Sequence, residues 1–147
     1  MTRYKTGIVI AVMAYVLAWF LPVVSGGHYG WEAFRVALSP IWPYEGAQAD
    51  NAFRAFLNVA SAFTNVLFVV ETGLLWLWPA RIARVAMWTL IVAALLDTQW
   101  FVLGDRSDIR DLRVGYYLWV GAFFLLAFSA YLGGSKASAG RPLRAAV

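Results

Sequence analysis

At 147 residues, 62% of them hydrophobic and 14% charged, the chain is far more apolar than an ordinary soluble domain. Its formal charge of +4 does not mark a nucleic-acid binder, because the basic residues flank apolar stretches instead of forming a stripe interleaved with exposed aromatics. The absence of cysteine excludes disulfide catalysis, thiolate metal sites and a disulfide-bridged loop.

The first apolar stretch, Thr6 to Ser25, matches the roughly 20 residues a helix needs to cross a bilayer. Arg3 and Lys5 before it and the small-residue site at Val23, Val24 and Ser25 resemble a signal peptide. The apolar run exceeds the roughly 7 to 15 residues of a signal core, however, so the segment is expected to stay as a span. Between Tyr29 and Trp42, apolar Trp31, Phe34, Leu38 and Ile41 recur at helical spacing while Glu32, Arg35 and Ser39 take other faces, bounded by Gly30 and Pro40. This predicts a short interfacial helix, with Trp31, Trp42 and Tyr44 at the headgroup level. As an interface or lid it offers Trp31, Glu32, Phe34, Arg35 and Trp42.

The second stretch, Ala52 to Trp78, carries Arg54, Asn58, Ser61, Asn65 and Thr72 at spacings that put them on one narrow face of a helix. Amides and hydroxyls in hydrocarbon need partners, so this stripe is expected to face other helices. Small residues that permit close approach are Ala55, Ala62 and Gly73 here, Ala93 and Ala94 in the third stretch and Gly121 in the fourth.

Two carboxylates lie inside apolar stretches. Glu71 is expected about 10 Å in from one end of the second helix, and Asp97 about 9 Å in from the opposite side along the third, Ile82 to Leu103. If these helices form an antiparallel hairpin about Pro79, Asp97 levels with Phe63 and Thr64, and Glu71 with Thr89. The acids are then in opposite leaflets and share no proton chemistry. Each must be paired, protonated or wetted: Asp97 by Ser61, Thr64, Thr98 or Gln99, with Arg54 or Arg113 as counter-charge, and Glu71 by a snorkelling Arg81 or Arg84. The intramembrane polar or ion candidates are therefore Glu71, Asp97, Asn58, Ser61, Thr64 and Asn65.

The fourth stretch, Val114 to Leu132, precedes a small, basic tail, Gly133 to Val147, expected to be mobile and to touch anionic headgroups. Arg3 and Lys5, Arg81 and Arg84, and Lys136, Arg141 and Arg144 stand without acids, whereas Gly26–Asn51 and Gly104–Arg113 mix both signs. By the positive-inside rule both termini are cytoplasmic.

Little else points to chemistry. The lone His28 sits in a Gly-rich turn without metal-ligand companions, and no nucleotide, hydrolase or metalloprotease motif occurs. No metal and no cofactor are expected beyond bound lipid. The aromatic abundance is compatible with a pigment or quinone contact, although aromatics at span ends are the normal interfacial belt.

Leu21 and Pro22 closing the first span, then Gly30, Trp31, Glu32, Ala33 and Phe34, Asn65, and Gly115, Tyr116, Tyr117, Leu118 and Trp119 resemble a widespread group of small bacterial four-span membrane proteins. The resemblance covers nearly the whole chain and implies topology and a bacterial inner-membrane location, not an activity. The charged stretch around Asp105 departs from the uncharged version in that group.

The expected fold is all-α: a four-helix transmembrane bundle (1–132) with a short interfacial helix and a basic tail (133–147). The favoured function is a non-catalytic subunit or assembly protein of a larger membrane complex, with membrane lipids and protein partners or its own copies as neighbours. The alternatives are a homo-oligomeric channel or transporter along Asn58, Ser61, Asn65 and Glu71, and a rim enzyme using Glu32, Asp97 and Arg113 on a lipid-linked substrate.

Overall fold

Helix α1 (Arg3–Phe20) begins the computed structural model, in which residues 3–44, 51–103 and 110–139 are described. It is followed by α2 (Gly30–Ala37), α3 (Ala52–Leu77), α4 (Pro79–Asp97), α5 (Gln99–Leu103) and α6 (Val114–Ala139). The architecture is all-helical, with no strand among the described residues. Four helical segments, Arg3–Phe20, Ala52–Leu77, Pro79–Val102 and Val114–Ser135, are long and apolar enough to cross a membrane. Outward-facing Met13, Val69, Val92 and Phe128 are each about 60% exposed. A continuous apolar exterior of this kind suits lipid and not water, and the chain is a multi-pass membrane protein.

Local chemistry sets the ends. Asn51 caps α3 by accepting the Arg54 N–H at 2.9 Å. Pro79 opens α4 at a position whose N–H has no helical partner to lose. The first span stops at Phe20, short of Ser25, because Pro22 draws Leu21 out of helical geometry. The chain then turns through Gly26 and Gly27, whose φ values of 105° and 86° place both in the left-handed region. The third span is interrupted at Thr98, whose hydroxyl donates back to the Leu95 carbonyl at 2.6 Å.

Helix α6 is the central element, packed along its length between α1 and α4, while α3 leans on α4 and meets α1 and α6 at few points. The α1–α6 contact is close because Gly7, Ala11, Ala14 and Ala18 form a small-residue stripe on α1, with Ala122 and Ala130 buried on α6. Large side chains fill the middle of the wider α1–α3 seam. Tyr15 stacks on Phe68 at 4.2 Å between ring centroids, and Phe68 meets Phe123 edge-on at 5.0 Å.

The start of α1, the Trp78–Pro79 turn and the last turns of α6 meet at one end, called here the terminal end. A methyl group at Gly133 would lie 3.6 Å from Pro79 Cβ and 3.7 Å from Tyr4 Cδ2. Helix α6 continues past the expected end of the span, through Gly133 and Gly134 to Ala139, and the glycines let it pack against Pro79, Tyr4 and Ala83. Residues 140–147 of the expected tail, and Glu45, Asp50 and Asp105 of the expected charged connections, lie outside the described residues.

At the α2 end, the segment after Pro22 ties three parts together. Val23 N–H donates to the His28 carbonyl at 2.9 Å, Ser25 N–H to Asp111 at 2.7 Å, and Arg113 N–H and Gly115 N–H to Val23 and Pro22 at 2.9 and 3.0 Å. Helix α2 docks on the end of α1 through Gly30 and Phe34, while Trp31 of the same predicted interfacial helix turns outward. Trp31 and Ile41 are exposed and Ala37 is buried. The approach is close: Gly30 sits directly against the Ala18 carbonyl oxygen and Trp19 Cα, where a larger residue has no room.

Candidate functional site

Of the expected polar stripe of α3, Ser61 and Asn65 face into the bundle, whereas Arg54 is exposed and Thr72 lines the outer α1–α3 groove with its hydroxyl donated to the Phe68 carbonyl at 2.7 Å. Ser61, Thr64, Asn65 and Glu71 are all buried, along with Phe68 and Leu75 on the same face. They divide into two clusters, at the levels that counting from Pro79 assigns them.

The first cluster surrounds Asp97, which is fully buried. Ser61 Oγ donates to Asp97 Oδ1 at 2.8 Å, and Thr64 Oγ1 lies 3.1 and 3.0 Å from the two carboxylate oxygens and 2.6 Å from the Ser61 carbonyl. The carboxyl group is thus held by hydroxyls from α3, in place of the arginine counter-charge that the sequence suggested. Thr98 turns its hydroxyl to its own helix, and Gln99 donates to the Leu57 carbonyl at 3.0 Å. Neither serves Asp97. From α6, Tyr116 donates its hydroxyl to the Asp97 backbone carbonyl at 3.1 Å.

One turn further along α3, Asn65 Oδ1 accepts the Tyr15 hydroxyl at 2.9 Å and the Trp119 indole N–H at 3.0 Å. Its amide nitrogen donates to the Ala62 carbonyl at 3.1 Å. Asn65 therefore joins α1, α3 and α6. Tyr15, Tyr116 and Trp119 were not singled out from sequence as polar partners. Tyr15 had a usable signal, since a hydroxyl in mid-span, away from the interfacial belt, needs an acceptor. Tyr116 and Trp119, at the start of a span, look like ordinary belt residues.

The second cluster is the pair Glu71 and Thr89, with the threonine hydroxyl hydrogen-bonded to Glu71 Oε1. Glu71 Oε2 is buried without a hydrogen-bond partner among the described residues. Arg81 and Arg84 are exposed. Asn58 is half-buried and belongs to neither cluster.

Above Asn65 lies a partly open cavity of about 280 Å³ lined by the end of α1, by α2, by Ser61 and Ala62 of α3, by Trp100 and by the start of α6. Phe34 is the expected lid residue that lines it, and packs on Trp19 at 5.3 Å. Trp31, Glu32 and Arg35 lie elsewhere on α2, and Trp42 follows it after Pro40. Glu32 accepts the Tyr29 N–H at 2.9 Å and lies 3.6 Å from the His28 imidazole. Arg35 places its guanidinium 3.6 Å from the Trp42 ring centre, a cation–π contact, and Trp31 and Trp42 are exposed.

The proposed rim set is not presented at one surface. Asp97 is sealed inside the bundle, whereas Arg113 is exposed and Glu32 caps α2. Among the described residues, no three His, Asp or Glu side chains come together in a metal-binding arrangement. What the site offers is an aromatic-walled hollow over a hydrogen-bonded floor. Comparison of the chain with known protein families, curated proteins and solved structures returns no match.

Proposed function

We propose that this multi-pass protein is a non-catalytic subunit or assembly partner of a larger complex in a bacterial inner membrane, with both termini in the cytoplasm. Arg3, Lys5, Arg81 and Arg84 gather at the terminal end, which supports that orientation. Asp97, Ser61, Thr64 and Asn65 are committed to tying this chain's own helices together, a structural use of intramembrane polar groups.

The observation that carries the reading is a groove of about 480 Å³ on the lipid side of the α1–α3 seam, lined by Ile8, Val9, Val12, Met13, Gly73 and Trp76 among others. Nothing lies within 4 Å of the position a Cβ would take on Gly73. A bare backbone in an apolar groove is what close approach of another transmembrane helix requires. The test is affinity purification in mild detergent followed by mass spectrometry. A reproducible set of other polypeptides should accompany the wild type and be lost with Gly73→Leu, whose Cβ meets no atom within 4 Å and whose side chain fills the groove. A monodisperse, partner-free protein removes the reading.

The unpartnered Glu71 Oε2 favours a second reading, a small proton or cation transporter, because a buried acid oxygen without a partner is suited to binding a cation. The polar residues face into one chain, so the path in that case runs within the bundle. Glu71→Gln is then expected to abolish flux in reconstituted vesicles. Unchanged flux in the variant, or none with wild type, eliminates it.

A further inference from the structure

The cavity at the α2 end is about 280 Å³, nearly twice the ~150 Å³ apolar cavity that admits benzene. It has room for one ring with small substituents. Trp19, Phe34, Trp100, Tyr116 and Trp119 supply its walls, and ring faces and edges favour a flat aromatic occupant over a flexible chain.

The polar atoms of the buried floor decide what that ring carries there; His28 and Trp100, also on the lining, are exposed. Trp119 N–H is committed to Asn65 Oδ1, which also accepts Tyr15, and the Tyr116 hydroxyl is committed to the Asp97 carbonyl. The Asn65 amide nitrogen is directed to the Ala62 and Ser61 carbonyls at 3.1 and 3.4 Å. Ser61 differs. It lines the cavity, and its single hydroxyl proton is given to Asp97 Oδ1 at 2.8 Å. A hydroxyl has one proton and two lone pairs, so Ser61 Oγ is left as an acceptor. A ligand carbonyl there meets oxygen against oxygen, unless Ser61 turns its proton away and strips the buried Asp97 of a partner. A ligand hydroxyl meets a ready acceptor.

We propose that this cavity binds a lipid-soluble aromatic alcohol, of the phenol or hydroquinone class, with its hydroxyl donating to Ser61 Oγ and its ring among Trp19, Phe34 and Trp119. The site discriminates a ring bearing a hydroxyl from the same ring with that oxygen methylated or oxidised to a carbonyl. The inference goes beyond the subunit reading and does not depend on it.

The experiment is a ¹⁹F NMR titration of the full chain in mild detergent with 4-(trifluoromethyl)phenol and 4-(trifluoromethyl)anisole, referenced to protein-free micelles. The phenol should bind saturably, about three- to tenfold more tightly than the anisole, the range one hydrogen bond supplies. Ser61→Ala should erase that ratio, and Ala62→Phe, which fills the hollow, should abolish saturable binding of both probes. Equal affinities in the wild type overturn the proposal, as does phenol binding that survives Ala62→Phe. Displacement of the phenol by decane overturns it in favour of an acyl-chain site. If Ser61→Ala does not fold, the wild-type ratio and the Ala62→Phe result decide the matter alone.

Discussion

Gly30→Ala is expected to destabilise the protein by about 2–3 kcal/mol, the range for forcing an extra methyl group into a packed site with no way to relax. The added Cβ meets the Ala18 carbonyl oxygen and stands 2.8 Å from Trp19 Cα. Both are backbone atoms near the end of α1, so no side-chain rotation relieves the overlap. Relief requires α2 to lift away from α1, which separates Phe34 from Trp19 and opens the cavity. Gly73→Ala serves as the control. The same one-methyl change there meets open space, and the higher helix propensity of alanine should make it neutral or stabilising by up to about 1 kcal/mol. Unfolding of the detergent-solubilised proteins in increasing SDS, followed by the helical signal, measures both. A Gly30→Ala protein as stable as Gly73→Ala would mean that α2 is not docked on α1.

The contrast between these two glycines also marks where sequence reasoning stops. Hydropathy and length locate the four spans, because the need to satisfy every backbone group in lipid leaves the helix as the available structure. A constant rise per residue, counted outward from Pro79, levels Asp97 with Thr64 and Glu71 with Thr89, and these pairs are hydrogen-bonded. Close packing is less visible. Gly30 and Ala37 carry almost no hydropathy signal, yet Ala37 is buried and Gly30 is where α2 meets the backbone of α1, whereas Trp31 and Ile41 stay exposed. The stripe Gly7, Ala11, Ala14 and Ala18 was readable from its 4, 3, 4 spacing but is masked by larger neighbours. Hardest to foresee is convergence. Gly30, Ala33 and Phe34, Asn65, and Tyr116 and Trp119 come from three separated segments and meet around one cavity. Local patterns do not encode which distant segments share a wall.

Asn65→Leu is expected to cost roughly 2–4 kcal/mol, combining two stranded donors at about 1–3 kcal/mol each with the milder average of about 0.6 kcal/mol for hydrogen bonds between membrane helices. The side chain is buried, and its single oxygen accepts from Tyr15 on α1 and Trp119 on α6. Leucine matches the volume but offers neither donor an acceptor, and a hydroxyl and an indole N–H are then left inside the bundle. Tyr15→Phe removes one donor and keeps the ring stacked on Phe68, so it should cost only about 0.5–1.5 kcal/mol. The two changes share one bond and cannot be additive. In the Asn65→Leu background, Tyr15→Phe should be neutral or restore stability, because it deletes a hydroxyl that no longer has a partner. The same SDS unfolding measurement on the four proteins of this cycle gives the coupling directly. Additive costs, or an Asn65→Leu protein no less stable than Tyr15→Phe, would show that α1 and α6 are held to α3 by packing around Phe68 and not by the amide that joins all three.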